Sequence, residues 1–210
     1  MAGLAAVAEE RIFFRPHQYL AREAERPDVL YCIDEGWACR FRLLGDGRRQ
    51  ITALFLPGDY CEPHWILGGR PAQSIVAITN IRAVAIPCGA WRDGTPYHQG
   101  KLLSSVISMI ERQADWLVTL GRKTALERVA HLLCDVYERM SRSGLSYGQQ
   151  CSMPLTQMDI ADVTGLTPVH VNRTLQTMRT MKLIELQSKW LRIPDLAALR
   201  QSAALAPAPR

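Results

Sequence analysis

One change of hydrophobic period limits the folds open to this chain. From about residue 29 to residue 87, apolar and polar residues alternate between turn signals, the period of strands. From residue 97 the apolar residues recur at the three- and four-residue spacing of helices. Strands gathered in one part of a chain and helices in the other predict an α+β protein with an antiparallel sheet. In "YCIDEGWACRFRLLGDGRRQITALFLPGDY", Gly36 separates two strand-like runs, Asp46-Gly47 marks a tight hairpin, and Pro57-Gly58-Asp59 marks another turn. In "WACRFRLL", Cys39, Phe41 and Leu43 fall on one face, with Arg40 and Arg42 on the other. The strand signals stop after "SIVAITNIRAVAIP", so a small barrel or jelly roll is expected.

The stretch 97 to 120, "YHQGKLLSSVISMIERQADWLVTL", runs without a breaker after Gly100 and carries two adjacent apolar seams. Leu103, Ile107, Ile110, Ala114 and Leu117 form one; Leu102, Val106, Met109, Gln113, Trp116 and Leu120 form its neighbour. Two seams need two surfaces. The β-unit offers one, and a symmetric partner helix in a short parallel coiled coil is the expectation for the other, hence a homodimer.

Past Gly121 the chain turns basic. Residues 1 to 120 hold 13 Lys+Arg against 13 Asp+Glu, whereas residues 121 to 200 hold 11 against 7. "RKTALERVAHLLCDVYERM" reads as a helix with Ala125, Val129, Leu132, Leu133 and Val136 as its core stripe, followed by a polar loop or edge strand. Pro154 introduces "LTQMDIADVTGL", a short helix with Thr156 as N-cap and Asp159 placed to reach back to it. After the turn at Gly165, Thr167 caps a second helix whose first residue is Pro168. Proline costs nothing there, because that N–H has no intrahelical partner. Ile160, Val163, Leu166, Val171 and Leu175 have the spacing that packs two helices at a steep angle, with Ala161 small at their closest approach. This is a helix-turn-helix pattern. "KLIELQSKWLRIP" then gives two short alternating runs around Gln187-Ser188, a β-wing, and "QSAALAPAPR" reads as a disordered tail.

The outward positions of the second helix suit a DNA major groove. Thr167 begins the helix. Beyond it, Arg173 can bind guanine, Asn172 and Gln176 can pair with adenine, and Val169 can pack on a thymine methyl, with His170 beside them. Thr156, Arg122, Arg179, Lys182 and Lys189 are candidates for phosphate contacts. Double-stranded DNA is therefore the expected partner. A ligand-binding or protein-interaction module that has lost DNA binding is the competing class. Among the 210 residues no apolar run approaches the roughly 18 to 20 that a membrane helix needs, and the start "MAGLAAVAEERIFF" lacks a basic leader. A cytoplasmic protein without a membrane partner is expected. The six cysteines, with no CxxC pair among them, are expected to be reduced and structural.

With a β-roll, a long helix and a helix-turn-helix in that order, the chain resembles the catabolite activator/fumarate–nitrate regulator (CRP/FNR) family of bacterial transcription factors over roughly residues 12 to 200. "LGRKTALERVAHLL" and "LTQMDIADVTGLTPVHVNRTLQTMRTMKLIEL" carry the resemblance best. It implies a double-stranded β-roll of the cyclic-nucleotide-binding type over residues 1–96 and a dimerisation helix over 97–121. A winged helix-turn-helix over 122–200 and a tail over 201–210 complete the division. It also implies homodimers on a palindromic site, a signal passed from the β-roll through the long helix, and RNA polymerase as a partner. The family's base-reading arginine matches Arg173, whereas many members have glutamate where this chain has Val169.

The sensor departs from the family. Cyclic-AMP-binding members have a Gly-Glu pair after the "PGD" turn and later an Arg-Ser or Arg-Thr pair that holds the phosphate. Here those positions are Glu62-Pro63 and Gln73-Ser74. Without that arginine a cyclic phosphate is expected to meet no charged partner, so cyclic AMP is not expected. Glu62, His64, Gln73 and Ser74 mark where any ligand pocket would lie. The N-terminal cysteine cluster of the iron–sulfur branch is missing. Cys61 and His64 invite a haem, metal or redox reading, but two ligands make a poor site, and no cofactor or metal is predicted. As nucleophile and base they lack an orienting third residue, so an enzyme is not predicted.

Overall fold

The computed structural model describes residues 10–25, 28–67, 70–89 and 96–205. It divides into two compact units, Met1–Gln113 and Ala114–Arg210.

The first unit is a β-roll of two four-stranded antiparallel sheets. Its strands are β1 (Glu10–Phe14), β2 (Tyr19–Ala21), β3 (Val29–Glu35), β4 (Ala38–Leu43), β5 (Arg49–Phe55), β6 (Tyr60–Cys61), β7 (Ser74–Ala77) and β8 (Ile81–Pro87). One sheet runs β1-β8-β3-β6 and the other β2-β7-β4-β5. Ile33, Phe55, Trp65, Ile75 and Ile81 are buried at the centre. Two turns are set by glycine. Gly36 joins β3 to β4 with φ 87°, and a Cβ there would lie 2.0 Å from the Asn80 carbonyl oxygen. Gly58 has φ 93°, in a turn closed by the Asp59 carboxylate accepting from Leu56 N–H at 2.7 Å.

Strands β1 and β2 precede the region where strands were predicted. They are short, and β1 is an edge strand that leaves Phe13 71% exposed, so they carry little alternation to detect. The predicted faces of β4 also need correcting. Cys39 and Phe41 are buried, but Leu43, at the strand's end, is 61% exposed. Arg40, assigned to the polar face, has a side chain only 12% exposed.

Helix α1 spans Pro96–Arg122. Its outer seam is open in the single chain: Leu103, Ile107, Ile110 and Leu117 are 61%, 49%, 58% and 75% exposed, and Ala114 is exposed too. On the neighbouring seam Leu102 is buried, Val106, Met109, Trp116 and Leu120 are half-buried, and Gln113 is exposed. The division between the two units falls within α1.

The second unit begins with the last turns of α1 and continues with α2 (Ala125–Arg142). The predicted basic helix is this one, beginning at Ala125, three residues later than its first predicted residue, Arg122. Thr124 accepts from Glu127 N–H, and the Glu127 carboxylate accepts from Thr124 N–H at 2.7 Å. This reciprocal cap stabilises α2 by about 1 kcal/mol and starts a new helix just after α1 ends. The same hydrogen bonds hold the Glu127 carboxyl below its ordinary range. Val129, Leu132, Leu133 and Val136 are buried as predicted, and Ala125 is half-buried.

Next come β9 (Ser146–Tyr147), β10 (Gln150–Ser152), α3 (Gln157–Thr164), α4 (Pro168–Thr180), β11 (Glu185–Gln187) and β12 (Trp190–Arg192). The four strands form an antiparallel sheet in the order β11-β12-β10-β9, so the stretch after α2 is a hairpin with β10 inside the sheet. A helix absent from the sequence prediction closes the unit: α5 (Leu196–Ser202), capped by Asp195, whose carboxylate accepts from Ala198 N–H at 3.0 Å. It takes in Gln201 and Ser202, and Ala203 after it is fully buried, so the predicted tail begins later than residue 201. Residues 206–210 of that tail lie outside the described residues. Among the described residues no helix is long and apolar enough to cross a membrane.

Candidate nucleic-acid interface

Helix α3 begins as its sequence dictates. Thr156 accepts from Asp159 N–H at 3.1 Å, and the Asp159 carboxylate accepts from Thr156 N–H at 2.9 Å. The Thr156 hydroxyl also donates to Asp159 at 2.6 Å, so its proton is already used. The helix ends at Gly165, whose φ of 66° lets the chain reverse. Arg128, which sequence reasoning missed, ties this end to α2: its guanidinium donates to the Thr164 carbonyl at 3.2 Å and to the Lys123 carbonyl at 2.9 Å. Only its sequence neighbours were legible, because both acceptors are backbone atoms.

Helix α4 starts at Pro168, with the Thr167 hydroxyl accepting from His170 N–H at 3.3 Å. Val171, Thr174, Leu175 and Met178 are buried on α4, which packs against α3, where Ile160, Ala161 and Val163 are buried, with Leu166 half-buried in the turn. Burying a Leu or Met side chain contributes roughly 1.5–3 kcal/mol, so this face anchors the helix. The opposite face is left for a partner. Val169 is 60% exposed, and His170, Arg173 and Gln176 are exposed. Among the described residues the Arg173 guanidinium has no hydrogen bond or ion pair. Asn172 is half-buried, and its amide N–H donates to Gln157 Oε1 at 3.1 Å.

The candidate phosphate contacts are dispersed. Arg122 is exposed at the end of α1. Arg179 reaches from α4 to the wing and donates to the Leu186 carbonyl at 3.2 Å. Lys182 is exposed just after α4, and Lys189 is exposed in the β11–β12 turn, where Ser188 and Lys189 have φ of 50° and 65°.

In the β-roll, Glu62 is 3% exposed and occupies the left-handed region at φ 54°. Its carboxylate accepts from the Arg40 guanidinium at 2.6 Å and lies 3.2 Å from His64 Nδ1. Arg40 also donates to the Thr52 hydroxyl at 3.0 Å, and Thr52 donates to Gln73 Oε1. Ser74 accepts from Glu23 N–H at 3.1 Å. The predicted residues Glu62 and His64 are thus brought together, and Gln73 joins them through Thr52. The expectation that this region lacks an arginine is corrected, since Arg40 supplies one from β4 and Glu62 neutralises it. Cys61 is fully buried, and burial with nearby Asp59 and Glu62 pushes its thiol well above the ordinary range, away from the thiolate that a metal or redox site needs. Among the described residues no cluster of three or more His, Cys, Asp or Glu has the arrangement of a metal site.

A β-roll followed by a capped helix-turn-helix and a wing defines a regulator with a sensor-type unit and a DNA-reading unit. Residues 127–202 match the Crp-like helix-turn-helix domain, and residues 11–93 match the cyclic nucleotide-binding domain. The chain is 31% identical over 202 residues to the nitrogen fixation regulation protein FixK of Azorhizobium caulinodans, covering 94% of this chain and 80% of that one. It is 30% identical over 194 residues to the transcriptional activatory protein AadR of Rhodopseudomonas palustris, covering 89% and 78%. The solved structure of FixK2 from Bradyrhizobium japonicum superposes with a TM-score of 0.81 at 26% identity, covering 95% of this chain and 99% of that one. The chain belongs to the CRP/FNR family of DNA-binding transcriptional regulators.

Proposed function

We propose that the protein acts in the cytoplasm as a homodimer on a two-fold symmetric DNA site, each copy placing α4 in one major groove. The observation that carries this reading is the division of α4 into a buried face and an open one that presents Val169, His170, Arg173 and Gln176, with the Arg173 guanidinium unpaired among the described residues. Thr167 and Asn172 flank that face. Arg122, Arg179, Lys182 and Lys189 hold phosphates, and Thr156 contributes as the cap of α3. The exposed seam Leu103, Ile107, Ile110, Ala114 and Leu117 is the dimer contact.

In this reading residues 1–96 form the sensor unit, 97–121 the dimerisation helix and 122–200 the DNA-binding unit, and RNA polymerase is the partner at the promoter. Cyclic AMP is not a ligand, because Glu62 already occupies Arg40, and neither a cofactor nor a catalytic reaction is assigned. The test is binding to promoter and random-sequence DNA across a salt series. Arg173→Ala should weaken specific binding by about 5- to 150-fold, the worth of a bidentate base contact of ~1–3 kcal/mol, while the protein stays folded. Unchanged affinity and specificity in that variant would refute the assignment.

A further inference from the structure

The contact between Gln157 and Asn172 crosses from the first helix of the motif to the second, and it lies beside the open face of α4. Gln157 is the first residue of α3 and exposed; Asn172 is half-buried next to Arg173. The 3.1 Å hydrogen bond takes one N–H of the Asn172 amide. A primary amide has two such donors and one carbonyl oxygen, all held in a plane. Fixing one N–H therefore fixes the direction of the whole group. Of the two N–H groups, the one on the oxygen's side of the amide lies beside Oδ1, and that pair matches N7 and the N6 amino group of adenine; the clamp leaves this pair free by holding the other N–H. An unrestrained asparagine would rotate about its terminal bond and lose that match for part of the time, because such bonds have broad rotamer wells.

We infer that Gln157 is a positioning residue for base recognition, clamping the Asn172 amide so that it reads an adenine next to the base contacted by Arg173. The inference rests on the DNA-reading role proposed for α4. It gives Gln157 a part in specificity without any base contact of its own.

The test is selection of the full-length protein on a randomised half-site library, followed by sequencing, for wild type, Asn172→Ala, Gln157→Ala and Gln157→Glu. Wild type should enrich adenine at one position. Asn172→Ala and Gln157→Ala should flatten that same position, each by on the order of 10-fold, and leave the position read by Arg173 sharp. A protein carrying both Asn172→Ala and Gln157→Ala should be no flatter than either single variant, as expected for two residues acting through one contact. Gln157→Glu keeps an acceptor for the Asn172 N–H, so it should retain the adenine preference while weakening all sequences alike through its charge near phosphates. Since Gln157 is exposed, the thermal midpoint should not change. An adenine position as sharp in Gln157→Ala as in wild type, or equal flattening by Gln157→Glu, overturns the clamp alone. A wild-type protein that enriches no sequence overturns the DNA-reading role and the clamp with it.

Discussion

Replacing Glu62 by glutamine tests whether the β-roll is closed by an internal ion pair. The carboxylate is 3% exposed and 2.6 Å from an Arg40 guanidinium whose side chain is 12% exposed, so neither charge is strongly screened by water. Removing one partner of a buried pair costs about 3–5 kcal/mol, because the remaining charge stays desolvated without its counterion. Glutamine keeps an oxygen for Arg40 and Thr52 keeps its own contact, so the low end, roughly 3 kcal/mol, applies. For a chain of this length unfolding as one unit, that corresponds to about 6–12 °C in the midpoint, followed by calorimetry or near-UV circular dichroism. Arg40→Met alone should also destabilise, since it strands Glu62. The double variant Arg40→Met with Glu62→Gln should recover much of the loss, because no charge is then left alone. A midpoint for Glu62→Gln within about 2 °C of wild type, or a double variant as unstable as the two singles combined, would refute the reasoning.

Two further predictions concern the long helix and its junction with α2. Charging the open seam with Ile110→Glu and Leu117→Glu should convert the proposed dimer to a monomer in sedimentation or light scattering without loss of helical signal; a variant that stays dimeric at micromolar concentration would move the contact elsewhere. Burial and neighbouring Lys123 lower the pKa of His131 below 6.5, with Asp135 and Asp115 opposing and Arg200 adding to the shift. The unfolded state therefore binds the proton first, so the stability contributed by neutral His131 is complete above about pH 6.5 and is lost as pH falls through the lower folded value. His131→Gln should flatten the fall in midpoint between pH 7.5 and 5.5, and an unchanged slope would show that other groups set it.

The sequence made the DNA-reading unit legible because its signals are local. Thr156 with Asp159, Gly165, and Thr167 with Pro168 each act within one turn, and each marks a helix end by backbone chemistry alone. Non-local contacts left no such mark. Arg40 and Glu62 are 22 residues apart, and the β4 pattern placed Arg40 on a polar face because alternation alone does not distinguish solvent from a roll interior that holds an ion pair. Arg128 acts on the Thr164 carbonyl, so no side-chain partner signals it. The start of α2 was read at Arg122, three residues early, although Thr124 and Glu127 spell a Thr-x-x-Glu cap. Short α5 offered only about two turns of pattern after Asp195, too little to separate from a tail.

The junction of α1 with α2 shows how the end of the long helix is tied to the DNA-reading unit. Trp116 of α1 stacks on His131 of α2 with ring centroids 5.2 Å apart and planes 4° from parallel. His131 Nδ1 faces the Thr119 hydroxyl at 2.5 Å and the Lys123 ammonium at 3.3 Å. Lysine has no acceptor, so Nδ1 must offer its lone pair to it and the ring proton sits on Nε2. Protonating Nδ1 would remove the contact with Lys123 and place a cation beside its ammonium, while the Thr119 hydroxyl would turn from donor to acceptor. The same burial that lowers the His131 pKa therefore keeps the contacts intact at neutral pH. The last turns of α1 belong to the second unit, and this stack joins them to α2. Helix α2 is tied in turn to α3 through the Arg128 contact with Thr164, and α3 holds α4 through their packing and the Gln157–Asn172 bond.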